Sequence, residues 1–436
     1  MKINNFVWSE LGEAAKRKLL ARAESDLSGV LAQVEKITTA VRDRGDEALL
    51  AFTAEFDGAR LKAGGLRVRE EEFAQAEQSL APGVKKAVAA CVENVRRFHR
   101  RQMPPEMSLE ETRPGVFAGE RFTAVPAAGL YVPRGRGSFP SVMYMLALPA
   151  LIAGVERVVA VTPPDREGRM DPGTLYAARV CGVKEIYRVG GAQAVAALAY
   201  GTATIPRVDK IVGPGSIYVA AAKRLLTGIV DVGPPAGPSE AIVLADESAD
   251  PRLAALDLMV EAEHGSDSSA YLVTPSRKLA QQVAGLLPGL TAKLEPGRAD
   301  FVRDVLGGFG GIIITETLQE AVDFINAYAP EHLQLACRDP FALLPAIRHA
   351  GEILLGQDTT FPLANYGVGP NNVLPTGGRA RMFSPLTVRD FLKSSSLVYV
   401  NDAGFAGLEK PVAELAAYEG FSAHARAVTE RGDRGC

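Results

Sequence analysis

Short runs rich in β-branched residues alternate with helical runs through the middle of this chain, and this alternation constrains the fold most strongly. Three such runs, Arg157 to Thr162, Glu185 to Val189 and Lys210 to Val212, lie about 25 residues apart. This spacing leaves room for a helix between successive strands, as βαβ units with parallel strands require. A second set shows the same pattern: Ala241 to Ala245, Ala270 to Thr274 and Gly311 to Ile314. We therefore predict an α/β fold with two Rossmann-like parallel-sheet domains.

The regions on either side of these runs have a different character. Two apolar stripes at helical spacing predict packing helices in the first hundred residues: Leu31, Val34, Ile37 and Val41, then Val84, Val88, Cys91, Val92, Val95 and Phe98. His99 follows the second stripe among four arginines, so we predict a surface residue. From about Arg381 the pattern predicts a small helical C-terminal region with one short strand, Leu397 to Val400.

Composition excludes several classes of protein. A formal charge of −3 gives no electrostatic reason to expect a nucleic-acid partner. Four cysteines lie far apart with no CxxC pair, which fits a reducing compartment better than a disulfide framework or a zinc ribbon. The N-terminus lacks the apolar core of a signal peptide, and the most apolar stretch, near residues 143–154, is too short to span a bilayer. We expect a cytoplasmic protein with no membrane partner.

Three glycine-rich turns follow predicted strands: Tyr131 to Ser138, Gly190 to Gln193 and Gly213 to Ser216. Such turns lie at the carboxyl ends of parallel strands, where backbone amides and helix N-termini can bind a phosphate. The chain contains neither GxGxxG nor a Walker motif, so tight structural turns remain an equal alternative. Arg134 and Arg136 could bind an anion here or could be solvated surface charges.

The chain has five histidines, and two of them stand beside carboxylates. Glu261 and His264 are three residues apart at the end of a predicted helix that Gly265 would cap, so they could grip one metal ion. A chance pair on a helix surface is the alternative. Glu331 and His332 could act as an acid/base pair, or as a capping glutamate and a core histidine.

Two further features need an explanation. The stretch from Gln357 to Gly377 is rich in glycine, asparagine and proline, and it is too long and irregular for a simple linker. Long ordered loops of this kind are often functional. His349, by contrast, has no chemistry-bearing neighbours, and we predict that it lies at a helix end.

Taken together, these motifs resemble the histidinol dehydrogenase family over essentially the whole chain. The matching stretches are Gly129-Leu-Tyr131-Val-Pro, Val189-Gly-Gly-Ala-Gln193, Asp209-Lys-Ile-Val-Gly-Pro-Gly215, Pro235-Ala-Gly-Pro-Ser239-Glu240, Ala262-Glu-His264-Gly-Ser-Asp-Ser, Ala329-Pro-Glu331-His332-Leu, Asn372-Val-Leu-Pro-Thr376 and Glu419-Gly-Phe-Ser-Ala-His424.

The resemblance implies a cytoplasmic, intertwined homodimer with one Zn²⁺ per subunit and NAD, which oxidises L-histidinol through the aldehyde to L-histidine in histidine biosynthesis. It implies that Glu331 and His332 are the acid/base pair. The other implied sites follow. NAD contacts are Tyr131, Gln193 and Ser216; metal ligands are Glu261, His264, Asn365 and His424; substrate contacts are Ser239, Glu261, His264, His332, Asn365, Glu419 and His424. His424 would act in the partner subunit's site, because the family's last ligand comes from the partner's tail.

The same resemblance implies four segments along the chain. Residues 1–128 would form a helical N-terminal part and the start of the first α/β domain. Residues 129–238 would be an inserted NAD-binding α/β domain. Residues 239–380 would complete the first domain and carry the catalytic and metal residues. Residues 381–436 would be a small C-terminal dimerisation tail.

Four positions depart from the family pattern. Glu261 stands where the family has glutamine and Asn365 where it has aspartate, so the set keeps one carboxylate, one amide and two imidazoles, which still suit zinc. Ser216 replaces an asparagine in an NAD contact, and Asn372 replaces a histidine in the pocket wall. The alternatives are therefore a homologue that oxidises another small polar alcohol by the same mechanism, and an inactive binding paralogue.

Overall fold

The structure is a computed structural model that describes residues 1–21, 27–135, 137–234 and 237–432. Arg136, Cys436 and part of the Pro235–Glu240 motif lie outside the described residues. The strands are β1 Asn5–Val7, β2 Met107–Arg113, β3 Val116–Ala124, β4 Ala127–Tyr131, β5 Arg157–Thr162, β6 Glu185–Arg188, β7 Lys210–Val212, β8 Glu240–Ala245, β9 Ser269–Thr274, β10 Gly311–Ile314, β11 His332–Ala336, β12 Glu352–Leu355 and β13 Leu392–Val400.

The helices follow the same chain order. They are α1 Glu13–Ala21, α2 Ser28–Arg44, α3 Asp46–Phe56, α4 Glu70–Ser79, α5 Pro82–Arg100, α6 Pro140–Ala153, α7 Pro172–Cys181, α8 Gly191–Tyr200, α9 Ile217–Leu226, α10 Pro251–Ala262, α11 Arg277–Thr291, α12 Pro296–Gly307, α13 Leu318–Tyr328, α14 Pro340–Leu343, α15 Phe361–Tyr366, α16 Asp402–Tyr418 and α17 Ser422–Gly432. Among the described residues, no helix is both long and apolar enough to cross a membrane.

The larger sheet has six strands in the order β1-β10-β9-β8-β11-β12, and every neighbouring pair is parallel. Its central strands are buried on both faces, as the continuous apolar runs predict. Along β8, Val243 belongs to one apolar cluster and Ile242 and Leu244 to another, because successive side chains point to opposite faces. Helices α10 and α11 cover the first face and α13 the second.

The smaller parallel sheet has four strands in the order β6-β5-β4-β7. Val34, Ile37 and Val41 line the buried face of α2, which packs on α8 and α9. The two parallel sheets confirm the predicted α/β class, and the predicted strand Arg157–Thr162 is observed with the same bounds. The structure differs from the prediction at β1. This strand lies in the first hundred residues, for which we predicted helices, and it pairs with β10.

Residues Met103–Val125 and the chain from Leu392 onward form a second compact unit, separate from the rest of the chain. Within it, β2, β3 and β13 make an antiparallel sheet, and α16 packs on α17. The predicted short strand Leu397–Val400 is the end of the longer β13, and the pairing of β2 and β3 with it was not predicted. The C-terminal helical region is confirmed, although it shares its unit with a sheet.

Candidate active site

Glu331 and His332 stand where the chain enters β11, between β8 and β12 in the larger sheet. Helix α13 ends at Tyr328, and Ala329 adopts a left-handed conformation with φ 53° that turns the chain into the strand. Both members of the pair are buried, at 7% and 3% exposure. They therefore lie at the amino end of the sheet, whereas ligands in open α/β sheets usually bind at the carboxyl ends.

Hydrogen bonds fix the pair from several sides. Oε2 of Glu331 accepts a bond from the backbone N–H of Glu240 at 2.9 Å. Nε2 of His332 lies 3.7 Å from Oε1 of Glu331, and its Nδ1 lies 2.5 Å from Oε1 of Glu352. The ring of Phe361 meets the imidazole edge-on at 5.8 Å between centroids. The two side chains that we predicted as an acid/base pair therefore lie together in a buried place, in contact with Glu240 and Glu352.

Three of the four predicted metal residues, Glu261, His264 and Asn365, form a second cluster, whereas His424 belongs to the second unit. Nδ1 of His264 lies 3.0 Å from Oε2 of Glu261, and Nδ2 of Asn365 donates to Oε1 of Glu261 at 2.8 Å. The predicted cap at Gly265 is wrong, because α10 ends at Ala262 and Glu263 caps it. His264 nevertheless keeps its place over Glu261, since its N–H bonds the Glu261 carbonyl at 3.3 Å in the turn that follows.

The two clusters interact electrostatically. Burial would raise the pKa of Glu261, but the neighbouring His264 and His332 hold it at about 2. Burial would lower the pKa of both histidines. The charge of Glu261 nevertheless raises the pKa of His264 to about 8. The charges of Glu261, Glu331 and Glu352 raise the pKa of His332 to about 10. Burial raises the pKa of Glu331 to about 8. Perturbed groups gathered in this way are typical of a functional site.

The side chains of the second cluster include types that bind zinc. Among the described residues, no group of three or more His, Cys, Asp or Glu side chains is arranged to hold a metal ion. The cluster offers one carboxylate, one imidazole and the amide of Asn365. Rotating the Asn365 side-chain amide by 180° would place its oxygen where its nitrogen now contacts Glu261. Oxygen and nitrogen donors of these types suit Zn²⁺. Glu261, His264 and Asn365 therefore fit a zinc ion that takes a further ligand from elsewhere.

The predicted NAD contacts lie at the carboxyl ends of the smaller sheet, as expected for the glycine-rich turns. The hydroxyl of Tyr131, at the end of β4, accepts a bond from the N–H of Gly191 at 3.0 Å. Gln193 is 1% exposed, and neither polar atom of its amide has a hydrogen-bond partner among the residues that the structure describes. A Cβ at Gly213, where φ is 119°, would lie 2.1 Å from the Tyr131 carbonyl oxygen. A buried amide without partners beside glycine turns fits a dinucleotide.

The remaining predicted contacts are less informative. Ser216 is exposed at the N-cap of α9, and its side chain makes no cap bond. Ser239 is half-buried just before β8, and its carbonyl accepts a bond from the N–H of Ser269 at 2.9 Å. Glu419 and His424 belong to the second unit, where both are exposed, and the ring of His424 lies 5.1 Å from that of Phe421.

The prediction for His99 was wrong. Its ring is fully buried in α5, with Nδ1 2.9 Å from the Val95 carbonyl and Nε2 3.3 Å from the Asn371 amide nitrogen. His349 is half-buried in the segment before β12 rather than at the end of a labelled helix. Arg134 donates to the Arg169 carbonyl at 2.8 Å, so this side chain has a structural partner.

Sequence reasoning missed two acidic residues of the site. Glu240 contacts Glu331 through its backbone, and its carboxylate accepts a bond from the N–H of Gly377 at 2.9 Å, in the long loop that we predicted to be functional. Glu352 contacts His332. The motif around Ser239 could have indicated Glu240. The position of Glu352 depends on strand register, which no local pattern reveals.

The buried carboxyl of Asp57 predicts a pH-dependent stability near the NAD contacts. Burial raises its pKa to about 6 from 3.8, its Oδ2 has no partner in the described structure, and its charge also raises the pKa of Tyr131. A raised carboxyl pKa gives stability that is complete below the unfolded value and lost as pH rises through about 6. We expect Asp57→Asn to raise the melting temperature by clearly more at pH 7.5 than at pH 4.5, because most of the loss occurs between these two values. Calorimetry checks this, with Glu55→Gln as control, at an exposed position near the end of α3, the helix that Asp57 caps. An equal shift at both pH values would contradict the prediction.

Two parallel sheets with helices on both faces, together with a cluster of buried titratable side chains, define the protein as an α/β enzyme.

A family model for histidinol dehydrogenase matches residues 20–432. The chain is 53% identical over 423 residues to a histidinol dehydrogenase of Synechocystis, covering 97% of this chain and 98% of the relative. It is 50% identical to histidinol dehydrogenase homolog 2 of Mesorhizobium japonicum, covering 98% and 97%. The solved structure of histidinol dehydrogenase from Elizabethkingia anophelis matches with a TM-score of 0.94 at 31% identity, covering 99% and 98%. The chain belongs to the histidinol dehydrogenase family and is an oxidoreductase.

Proposed function

We propose that the protein is a zinc-dependent, NAD-linked dehydrogenase that oxidises a small primary alcohol through the aldehyde to the acid, with L-histidinol as the leading substrate. The observation that carries this proposal is the buried Glu331–His332 pair beside Glu261, His264 and Asn365. Burying several ionised groups together costs stability unless they serve another purpose, so the cluster favours a chemical role.

The side chains divide the two oxidation steps between them. In the first step, His332 in its neutral form takes the hydroxyl proton at Nε2 as hydride leaves the adjacent carbon. The surrounding carboxylates stabilise the imidazolium that forms and raise the pKa of the ring to about 10, so the neutral form is the minor one at pH 7 and turnover should rise with pH. In the second step, Glu331 takes a proton from water as the oxygen adds to the aldehyde carbon. Its pKa of about 8 places this group close to neutrality, where acid/base residues work best. Loss of a second hydride then gives the acid.

The proposal assigns zinc and NAD to two different sets of residues. Glu261, His264, Asn365 and the partner subunit's His424 would hold Zn²⁺, which supplies a Lewis acid that polarises and orients the substrate oxygen. Tyr131, Gln193 and Ser216 would hold NAD, whose nicotinamide accepts the hydride. The buried amide of Gln193 supports this assignment, because buried polar groups are normally hydrogen-bonded and a dinucleotide offers both donors and acceptors.

A second candidate is a homologue that oxidises a different small polar alcohol with the same residues. Glu261, Asn365, Asn372 and Ser216 all differ from the family pattern. The Asn372 amide donates to the Asn365 carbonyl at 2.8 Å, while its Oδ1 is buried with no partner in the described structure. A site discriminates sharply against substrates that leave such polar groups unpaired. Relatives about as similar as the Synechocystis enzyme carry the name histidinol dehydrogenase homolog, including one from Cereibacter sphaeroides at 50% identity.

The test is NADH formation from limiting L-histidinol by zinc-loaded protein, followed to completion. We expect about two NADH per histidinol, because each hydride transfer reduces one NAD. One NADH would mean that oxidation stops at the aldehyde. No NADH, from protein that holds zinc and binds NAD, would favour the second candidate, and small amino, hydroxy and sulfonated alcohols would then be assayed.

We propose that the second unit mediates a homodimer. Within the part of it that the structure describes, three residues are buried: Gly115, Val116 and Gly404. Large apolar side chains are open, among them Val398 at 70%, Leu415 at 59% and Tyr418 at 90% exposure. A small unit with so little core and so much open apolar surface is typical of an element that a partner subunit covers.

A further inference from the structure

The strand register of the larger sheet places a third acidic residue against the acid/base pair. β11 and β12 are parallel, and His332 is the register partner of Glu352. Register partners on neighbouring parallel strands project from the same face of the sheet, about 5 Å apart. The contact between the two side chains is therefore set by the sheet itself rather than by a flexible loop.

The contact is short and buried. Nδ1 of His332 lies 2.5 Å from Oε1 of Glu352, and the two side chains are 4% and 9% exposed. With the Glu352 oxygen as the acceptor, Nδ1 carries the proton in this bond. Nε2 is left as the nitrogen that faces Glu331, at 3.7 Å. The bond to Glu352 thus decides which ring nitrogen is available for proton transfer.

We propose that Glu352 is a positioning residue that fixes the tautomer and ring orientation of His332, so that Nε2 acts as the base. The proposal rests on the proposed function for its catalytic consequence. A carboxylate on the far side of an imidazole also stabilises the charge that the ring gains with the proton. Glu331 cannot do both tasks, because its own Oε2 is bound by the N–H of Glu240 and its Oε1 lies on the Nε2 side.

Three variants at this position separate orientation from charge. Glu352→Gln keeps an oxygen that can accept from Nδ1 but removes the charge, whereas Glu352→Ala removes both. We expect kcat to fall about tenfold in the glutamine variant and about a hundredfold in the alanine variant, the range found for groups that orient active-site histidines. KM for the alcohol, zinc content and NAD affinity should stay near wild type. Glu352→Asp should recover part of the loss, and added formate should partly restore the alanine variant.

A second readout does not depend on turnover. A short ring N–H to carboxylate bond gives a far-downfield proton resonance, which we expect in the wild-type protein and not in Glu352→Ala. If the wild type shows this resonance but oxidises no alcohol, the proposed function fails while the positioning contact stands. Wild-type kcat in Glu352→Ala would overturn the proposal. So would a loss of kcat that is accompanied by loss of zinc and a lowered melting temperature in all three variants.

Discussion

Replacing His332 with asparagine is expected to lower kcat by about two to four orders of magnitude, the usual contribution of a positioned acid/base group. Asparagine retains a donor that can reach Glu352 but has no nitrogen able to take a proton at the position of Nε2. Because the proposed NAD contacts Tyr131 and Gln193 belong to the other parallel sheet and to helix α8 beside it, we expect NAD affinity to be unchanged. Steady-state kinetics and NAD titration calorimetry measure the two quantities.

The matched control for this variant is His349→Asn. His349 is a half-buried histidine that lines an open pocket with Gln319 and Asp323, away from the acid/base pair. It should keep wild-type turnover. Full activity in His332→Asn would rule out its role as the base. A wild-type protein without turnover, whose ligand affinity survives in His332→Asn, would indicate the inactive binding paralogue instead.

Mixing two inactive variants is expected to restore activity if active sites are shared between subunits. Let one chain carry His332→Asn and the other His424→Ala, so that each homodimer lacks one essential group in both sites. In a mixed dimer, one site would combine an intact pair with an intact tail and the other would lack both groups. Random reassortment then gives about a quarter of wild-type activity from a closed two-fold dimer.

Refolding the two variants together and assaying against each variant refolded alone measures this recovery. Mixing His332→Asn with Glu331→Gln serves as the control, because both changes lie in the same unit and no mixed dimer can contain an intact site. Recovery in the first mixture but not in the second is the expected result. No recovery, with mixed dimers shown to form by mass measurement, would mean that His424 acts within its own subunit or not at all.

Six of the ten parallel strands, β5 to β10, could be predicted because they read as short runs rich in β-branched and apolar residues, whereas β1, β4, β11 and β12 were not predicted. Arg157–Thr162 and Gly311–Ile314 stand out in this way. β1 could not be found, because three residues are too few to show a period. The pairing of β3 with β13 joins segments some 270 residues apart in sequence and depends on contacts that no local pattern contains.

The same difference between local pattern and tertiary contact decides which site residues could be predicted. Glu331 and His332 are adjacent, and Glu261 and His264 are one helical turn apart, so the sequence alone brings each pair together. The contact of Glu352 with His332 depends on the register between strands 20 residues apart, which is a tertiary property. The wrong prediction of a surface position for His99 has another cause. Val88, Val92, Val95 and His99 all lie on the buried face of α5, and this spacing could have been followed one residue further.

The turn at Ala329 has a consequence for how substrate binding is coupled to catalysis. Ala329 is the one residue other than glycine with a positive φ in the described part of the chain, and such a conformation costs about 1 kcal/mol or more. Its N–H is held by the Ile325 carbonyl at 2.7 Å, and the ring of Pro330 fixes the next φ. The chain thus passes from helix to strand with almost no rotational freedom just before Glu331. If Glu331 and His332 act as proposed, their backbone is ordered when the protein folds, and substrate binding does not have to supply that entropic cost.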